Sequence, residues 1–183
     1  KIRTCNMLQA LRQQHRITFL SLCPDTVDPA ILAAAQDYSH RQVWVPVCEV
    51  RKRSLAFVGQ VAVNMLQPWA PPLAVRGYSH PVLVRHLLEL AQPGEHDLLV
   101  CDFLAPAENV MRIRDRLGIP VVLFQHNVES LIWQRLTANA ADPIRRWALA
   151  GQYRRMRRFE ERVCRSVDGV ITVSPEDSRS FAE

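Results

Sequence analysis

Short apolar runs alternate with helical segments along this 183-residue chain, and that alternation limits the folds that are open to it. The runs are rich in Val, Ile, Leu and Phe, and they predict strands over residues 16–22, 41–47, 97–102, 119–125 and 169–174. Strands that are apolar throughout and separated by helices are typical of a parallel sheet covered on both faces. The sequence therefore predicts an α/β fold with a Rossmann-like, doubly wound parallel sheet.

Helical spacing of apolar residues fills the intervals between these strands. The predicted helices cover residues 1–14, 28–38, 54–66, 80–92, 106–117, 129–140 and 143–166, and a further helix begins at Pro175. Residues 67–75 predict a proline-stiffened connection. A doubly wound domain normally leads with a strand, whereas this chain starts at Lys1 inside a predicted helix. We therefore expect a trimmed chain whose first strand and loop are missing.

Composition is that of a globular domain, with 48% hydrophobic residues, 22% charged residues and a net charge of +5. No apolar run reaches the roughly 18 residues that a membrane span needs. The five cysteines are scattered, which predicts reduced thiols in the cytoplasm. Because the histidines lack metal-ligand spacing and no nucleic-acid motif accompanies the positive charge, we expect no metal, no cofactor and no nucleic acid.

Polar residues stand at the ends of the three C-terminal strands. Asp102 ends the first, Gln125 and His126 end the second, and Ser174 ends the third. In doubly wound sheets, ligands bind in the crevice beyond the carboxyl ends of the strands. The sequence therefore predicts a ligand site at this edge, where Asp102 and Ser174 either bind substrate or cap the helices that follow them.

Several longer stretches carry a family resemblance. They are "KIRTCNMLQALRQQHRITFLSL", "HDLLVCDFLAPAENVMRIRDRLGIPVVLFQHNVES" and "RRMRRFEERVCRSVDGVITVSPEDSRSF", and the most specific part is "HNVESLIWQR". With these stretches the chain resembles the N-terminal, acceptor-side domain of a GT-B glycosyltransferase of family 4, the retaining group 1 type. Residues 23–95 match this family only in their pattern.

The resemblance implies that residues 1–183 form one half of a GT-B fold and that the C-terminal, donor-binding domain is absent. It implies a metal-independent, retaining transfer of a sugar from a nucleotide-diphosphate-sugar donor to a saccharide or lipid-linked acceptor. The chain alone is then an inactive part of the enzyme. His126 is the implied catalytic residue, because the family's histidine at this strand end faces the cleft between the domains.

Two further polar residues, Asn127 and Glu129, follow His126 and are candidates for the same site. Asn127 is predicted either to bind substrate or to be the N-cap of the helix over residues 129–140. Glu129 is predicted either to bind substrate or to be stabilised by the dipole at the N-terminus of that helix.

The predicted helix over residues 143–166 holds eight arginines. Its second half predicts a surface for anionic lipid or a polyanionic acceptor, formed by Arg154, Arg155, Arg157 and Arg158. Lipid contact would place the protein at the inner face of the membrane, peripherally bound. The alternative is a solvated basic face above an apolar stripe. Residues 54–72, which include an exposed Trp, are a second candidate for contact with a lipid-linked acceptor, and core packing is the alternative there.

Two other functions fit the same fold class. One is half of a sugar-nucleotide epimerase with the same GT-B plan. The other is a binding module of flavodoxin-like fold, although a receiver-type module would need clustered acids at the end of its first strand. The acidic residues of this chain are dispersed.

Overall fold

The chain forms two compact units, Lys1–Arg51 and Lys52–Glu183, in a computed structural model. The structure describes residues 2–47, 59, 63–64, 66–67 and 69–182. Each unit combines helices with a small parallel sheet, of two strands in the first unit and three in the second. The predicted α/β class is therefore confirmed.

The first unit is built around a pair of parallel strands. Its elements are α1 (Ile2–Arg12), β1 (Thr18–Pro24), α2 (Pro29–Ala33), a 3-10 helix (Ala34–Asp37) and β2 (Arg41–Val47). The side chain of Asp28 accepts a hydrogen bond from the Ala30 N–H at 2.9 Å and so caps α2, as its Asp-Pro start signal indicates. Phe19 packs edge-on against Tyr38 and Trp44 and forms the aromatic centre of this unit.

The second unit contains a sheet in the order β3-β4-β5, with all neighbouring strands parallel. Its described elements are α3 (Leu73–Arg76), α4 (Pro81–Leu90), β3 (Leu99–Asp102), α5 (Ala107–Met111), a 3-10 helix (Arg114–Arg116), β4 (Val121–Gln125), α6 (Glu129–Ala138), α7 (Pro143–Ser166), β5 (Gly169–Thr172) and α8 (Pro175–Ala182). Because the strands are parallel, their carboxyl ends lie at one edge of the sheet, as predicted.

The two faces of this sheet are covered differently. Residues that share a register position in parallel strands point to the same face, so Val121 and Cys101 lie on one face and Val100 on the other. Val121 and Cys101 belong to a core that α5 and α7 also supply. Val100 and Ile171 on the other face are exposed. Among the described residues, cover by helices is therefore shown for the first face of this sheet.

Some predicted elements differ from the observed ones. The predicted helix over residues 106–117 is broken into α5 and the 3-10 helix at Ile113, whose φ of -129° lies outside the helical region. The connection predicted over residues 67–75 already contains the first turn of α3. The helix predicted over residues 54–66 lies for the most part outside the described residues.

Among the residues that the structure describes, none forms a helix long and apolar enough to cross a bilayer.

Candidate functional site

Asp102 and His126 meet at the carboxyl ends of β3 and β4. β3 ends at Asp102, which lies opposite Phe124 in the register of the two strands, and His126 directly follows the last residue of β4. The Nε2 atom of His126 lies 2.7 Å from Oδ1 of Asp102. The His126 side chain is only 9% exposed. The structure thus brings together two of the residues that the sequence predicts for this site.

Two phenylalanine rings pack against the imidazole of His126. Phe103 stacks on it with a centroid distance of 4.2 Å, and Phe124 meets it edge-on at 4.5 Å. Phe103 has a φ of 74°, in the left-handed region that is costly for a bulky side chain. Its N–H donates to the carbonyl of Phe124 at 3.1 Å, which helps to hold this backbone geometry. Backbone strain of this kind collects at functional sites. The sequence reasoning missed Phe103, whose only signal is its place beside Asp102.

The bond to Asp102 limits what the imidazole of His126 can do. An ionised carboxylate only accepts hydrogen bonds, so Nε2 carries the hydrogen in this pair. Nδ1 is then the ring atom left for a ligand, as an acceptor in the neutral ring and as a donor in the protonated ring. The pair therefore presents one oriented nitrogen that can bind a hydroxyl group or an oxygen that gains negative charge.

A buried carboxylate from α7 fixes the neighbouring turn. Glu160 is 3% exposed, and its Oε1 accepts hydrogen bonds from Gln125 Nε2 and from the Glu129 N–H, both at 2.8 Å. Its Oε2 accepts from the Ser130 N–H at 3.1 Å. Glu160 therefore supplies the hydrogen-bond acceptor at the N-terminus of α6 and ties it to β4. In the sequence it stands in the apolar stripe of the helix beside Phe159, and an acid at such a position is the signal that could have revealed it.

The prediction that Asn127 caps α6 is wrong. The N-cap position is Val128, which makes no side-chain cap bond, and Asn127 is exposed. The acceptor comes from Glu160 instead, because the buried carboxylate reaches the N–H groups of the first turn from the adjacent helix. Asn127 is therefore not part of the structural support of this turn.

Ser174 was predicted either to bind substrate or to cap the helix that follows it, and in the structure it caps α8. Its Oγ accepts a hydrogen bond from the Asp177 N–H at 3.0 Å, in the first turn of α8. The residue follows β5 at the same edge of the sheet as His126. The hydroxyl of Ser174 is therefore hydrogen-bonded to the first turn of α8, whereas the carboxylate of Asp102 is bonded to His126.

Glu129 lies near the charge of Glu160. Burial raises the pKa of Glu129, and the negative charge of Glu160 raises it further. The folded protein therefore binds the proton of Glu129 more tightly than the unfolded chain does. The dipole of α6 favours the charged carboxylate, but burial and Glu160 outweigh it.

Glu129→Gln should stabilise the protein near neutral pH. A raised pKa in the folded state contributes stability that is present at low pH and lost as the pH rises through the folded pKa. The gain from Glu129→Gln should therefore vanish below the pKa of an unfolded glutamate, about 4.3. Urea unfolding of both proteins across this pH range measures the difference, and Glu161→Gln, at an exposed position, is the control. A variant less stable than the parent at pH 7 would show that the charge of Glu129 supports the fold.

The thiol of Cys101, which lies beside this site, is not reactive at neutral pH. Cys101 is buried, and burial together with the charge of Asp102 raises the pKa of its thiol to about 12. The thiolate is the nucleophilic form of cysteine, so Cys101 stays an inert thiol at neutral pH. Among the residues that the structure describes, no group of three or more His, Cys, Asp or Glu side chains could hold a metal ion.

A cavity of about 750 Å³ lies away from the Asp102–His126 pair, near the amino ends of β4 and β5. Its arginines face acids: Arg114 pairs with Asp168 at 2.7 Å, and Arg162 lies 3.4 Å from Glu108. Because these charges are compensated, the carboxyl edge of the sheet remains the stronger candidate site.

The predicted arginine cluster of α7 is divided between different surroundings. Arg154 and Arg158 are exposed. The Nη1 of Arg155 donates to Asn64 at 2.6 Å, and burial lowers the pKa of this arginine. Arg157 pairs with Glu161 at 2.9 Å. The four arginines therefore do not form one surface. In the second candidate segment, residues 54–72, Trp69 is exposed as expected, and most of the segment lies outside the described residues.

Comparisons with known proteins found no relative of this chain. A scan against protein-family models, a search of curated proteins and a search of solved structures each found no match to this chain.

Proposed function

We propose that this chain is the acceptor-side, Rossmann-like half of a retaining, metal-independent GT-B glycosyltransferase. One observation carries the proposal: Asp102 holds His126 at 2.7 Å at the carboxyl edge of a parallel sheet. This is the edge where doubly wound sheets bind their ligands. It is also where the family resemblance predicts the catalytic histidine.

The connections of the second unit support the Rossmann-like part of this proposal. The chain passes from β3 through α5 to β4, and from β4 through α6 and α7 to the adjacent strand β5. Each crossover joins two parallel strands through helices, which is the repeating unit of doubly wound folds.

In the proposed reaction, the bond between the donor sugar and the diphosphate breaks, a bond to the acceptor oxygen forms, and the nucleoside diphosphate leaves with the proton of the acceptor hydroxyl. His126 binds a sugar hydroxyl or stabilises charge beside the reacting carbon through Nδ1. Asp102 keeps the ring in the required orientation, and the packed rings of Phe103 and Phe124 restrict its motion. The partner half of the enzyme closes over this edge and excludes water, so that transfer is favoured over hydrolysis.

The proposal assigns most of the donor-binding groups to the partner half. This 183-residue chain alone should therefore neither hydrolyse nor transfer a nucleotide sugar, and it should bind UDP or GDP only weakly. Isothermal titration calorimetry with each nucleotide measures the affinity. Submicromolar binding to this chain would contradict the assignment of the donor-binding groups to another domain.

The reaction itself is tested with the protein that carries both halves. Incubation with a panel of nucleotide sugars and saccharide or lipid-linked acceptors should release nucleoside diphosphate only when a suitable acceptor is present. Interconversion of nucleotide sugars without acceptor would identify an epimerase instead. Binding of a ligand without turnover of any nucleotide sugar would favour a flavodoxin-like binding module.

A further inference from the structure

One exposed face of α7 combines large apolar side chains with arginines. Ile144 and Trp147 are 78% and 66% exposed at the beginning of the helix. Further along, the exposed residues include Arg154, Arg158 and Arg165. At 3.6 residues per turn, Trp147 and Arg165 are about five turns apart and lie on the same side, with Arg154 and Arg158 between them.

The opposite face of α7 packs against the core of the second unit, to which the helix belongs. Its buried residues are Gln152, Met156, Phe159, Glu160 and Val163. The exposed line from Ile144 to Arg165 is therefore on the side of the helix that turns away from this core. We call this line, formed by Ile144, Trp147, Arg154, Arg158 and Arg165, the outer face of α7.

We propose that the outer face of α7 binds the surface of an anionic membrane. Trp is favoured at the level of the lipid headgroups, where its ring is buried and its N–H stays near water. The arginines match the lipid phosphates, and Arg side chains near such a surface add attraction to anionic headgroups. The face is about 27 Å long from Trp147 to Arg165. It can therefore lie in the plane of the membrane and does not need to cross it.

The combination of groups distinguishes a membrane from other partners. A nucleic acid would contact the arginines but gives no general reason for an exposed Ile144 beside Trp147. A second copy of this chain would present the same arginines, and like charges would repel across such a contact. An anionic bilayer satisfies the apolar and the cationic residues of this face together.

The test compares two neighbouring arginines that undergo the same charge reversal. Arg158 lies on the outer face, whereas Arg157 lies off it and pairs with Glu161. Binding to vesicles of phosphatidylcholine with phosphatidylglycerol, measured by co-sedimentation, should fall about tenfold or more in Arg158→Glu. It should fall less, by under about threefold, in Arg157→Glu, since that side chain lies about 80° around the helix from the outer face and its charge is already paired with Glu161.

Trp147→Ala tests the apolar part of the face. It should lower binding to the same vesicles about tenfold, because the lost ring no longer buries apolar area in the headgroup region. Raising the salt concentration should weaken binding of the parent protein steeply, whereas vesicles of phosphatidylcholine alone should bind little. Melting curves check that each variant is folded, which is expected since all three positions are exposed.

Several results would overturn the proposal. They are failure of the parent protein to bind the anionic vesicles at low salt, equal losses in Arg158→Glu and Arg157→Glu, and unchanged binding in Trp147→Ala. Self-association that Trp147→Ala abolishes, observed by sedimentation velocity in the absence of vesicle binding, would identify a second copy as the partner. Each of these outcomes leaves the proposed glycosyl transfer unaffected, because the outer face does not include Asp102 or His126.

Discussion

Glu160→Ala should lower the free energy of unfolding by at least about 3 kcal/mol. The carboxylate is 3% exposed and accepts hydrogen bonds from Gln125, Glu129 and Ser130. Each buried donor that loses its acceptor costs about 1–3 kcal/mol. Urea unfolding followed by circular dichroism, with the slope of the transition checked for a common denatured state, measures the loss.

The adjacent residue provides a matched control for Glu160. The Glu161 side chain is 45% exposed and makes an i, i+4 pair with Arg157. Exposed pairs of this kind contribute little, so Glu161→Ala should change the unfolding free energy by less than about 1 kcal/mol. Both variants have the same helix propensity change, and their difference therefore reports mainly the buried hydrogen bonds of Glu160, reduced by its repulsion of Glu129. Equal effects in the two variants would show that the bonds of Glu160 do not stabilise the fold.

His126→Ala should lower the transfer rate about 10²-fold in the protein that carries both halves of the enzyme. An interaction that strengthens in the transition state affects turnover more than substrate binding, so kcat should fall further than KM changes. Steady-state kinetics with whichever acceptor of the panel supports transfer provide the measurement.

The same variant should also lose stability. The His126 side chain is only 9% exposed and packs against Phe103 and Phe124. His126→Ala should therefore also lower the melting temperature, because it leaves a cavity between packed rings. Loss of activity in this variant alone would not separate catalysis from folding.

Asp102→Asn separates the effect of His126 on catalysis from its effect on folding, and Asn127→Ala is a stability control. Asp102→Asn keeps the shape of the side chain and removes the charge that orients and stabilises the imidazole, so the rate should fall about tenfold with little change in melting temperature. Asn127→Ala should leave the melting temperature unchanged, because this exposed residue caps no helix. Normal turnover by folded His126→Ala and Asp102→Asn enzymes would remove His126 from the reaction.

Local sequence patterns predicted helices and strands well wherever the spacing of apolar residues is regular, and best where a helix start signal accompanies it. The helix over residues 143–166 was predicted with its observed bounds, since Asp142 and Pro143 begin it and its apolar spacing is regular throughout. The strand over residues 41–47 also has its predicted bounds. The helix over residues 106–117 was predicted less well, because its backbone leaves the helical region at the buried Ile113.

The sequence by itself determined the order of helices and strands in this protein and placed three polar strand ends at one edge of the second sheet. These properties follow from local apolar periodicity and from the alignment of parallel strands that helices connect. Only the tertiary structure decided which polar groups meet. Asp102 and His126 are 24 residues apart, and Glu160 reaches Gln125 across 35 residues. No local pattern encodes such a pair, because its geometry depends on strand register and on how α7 packs against the sheet.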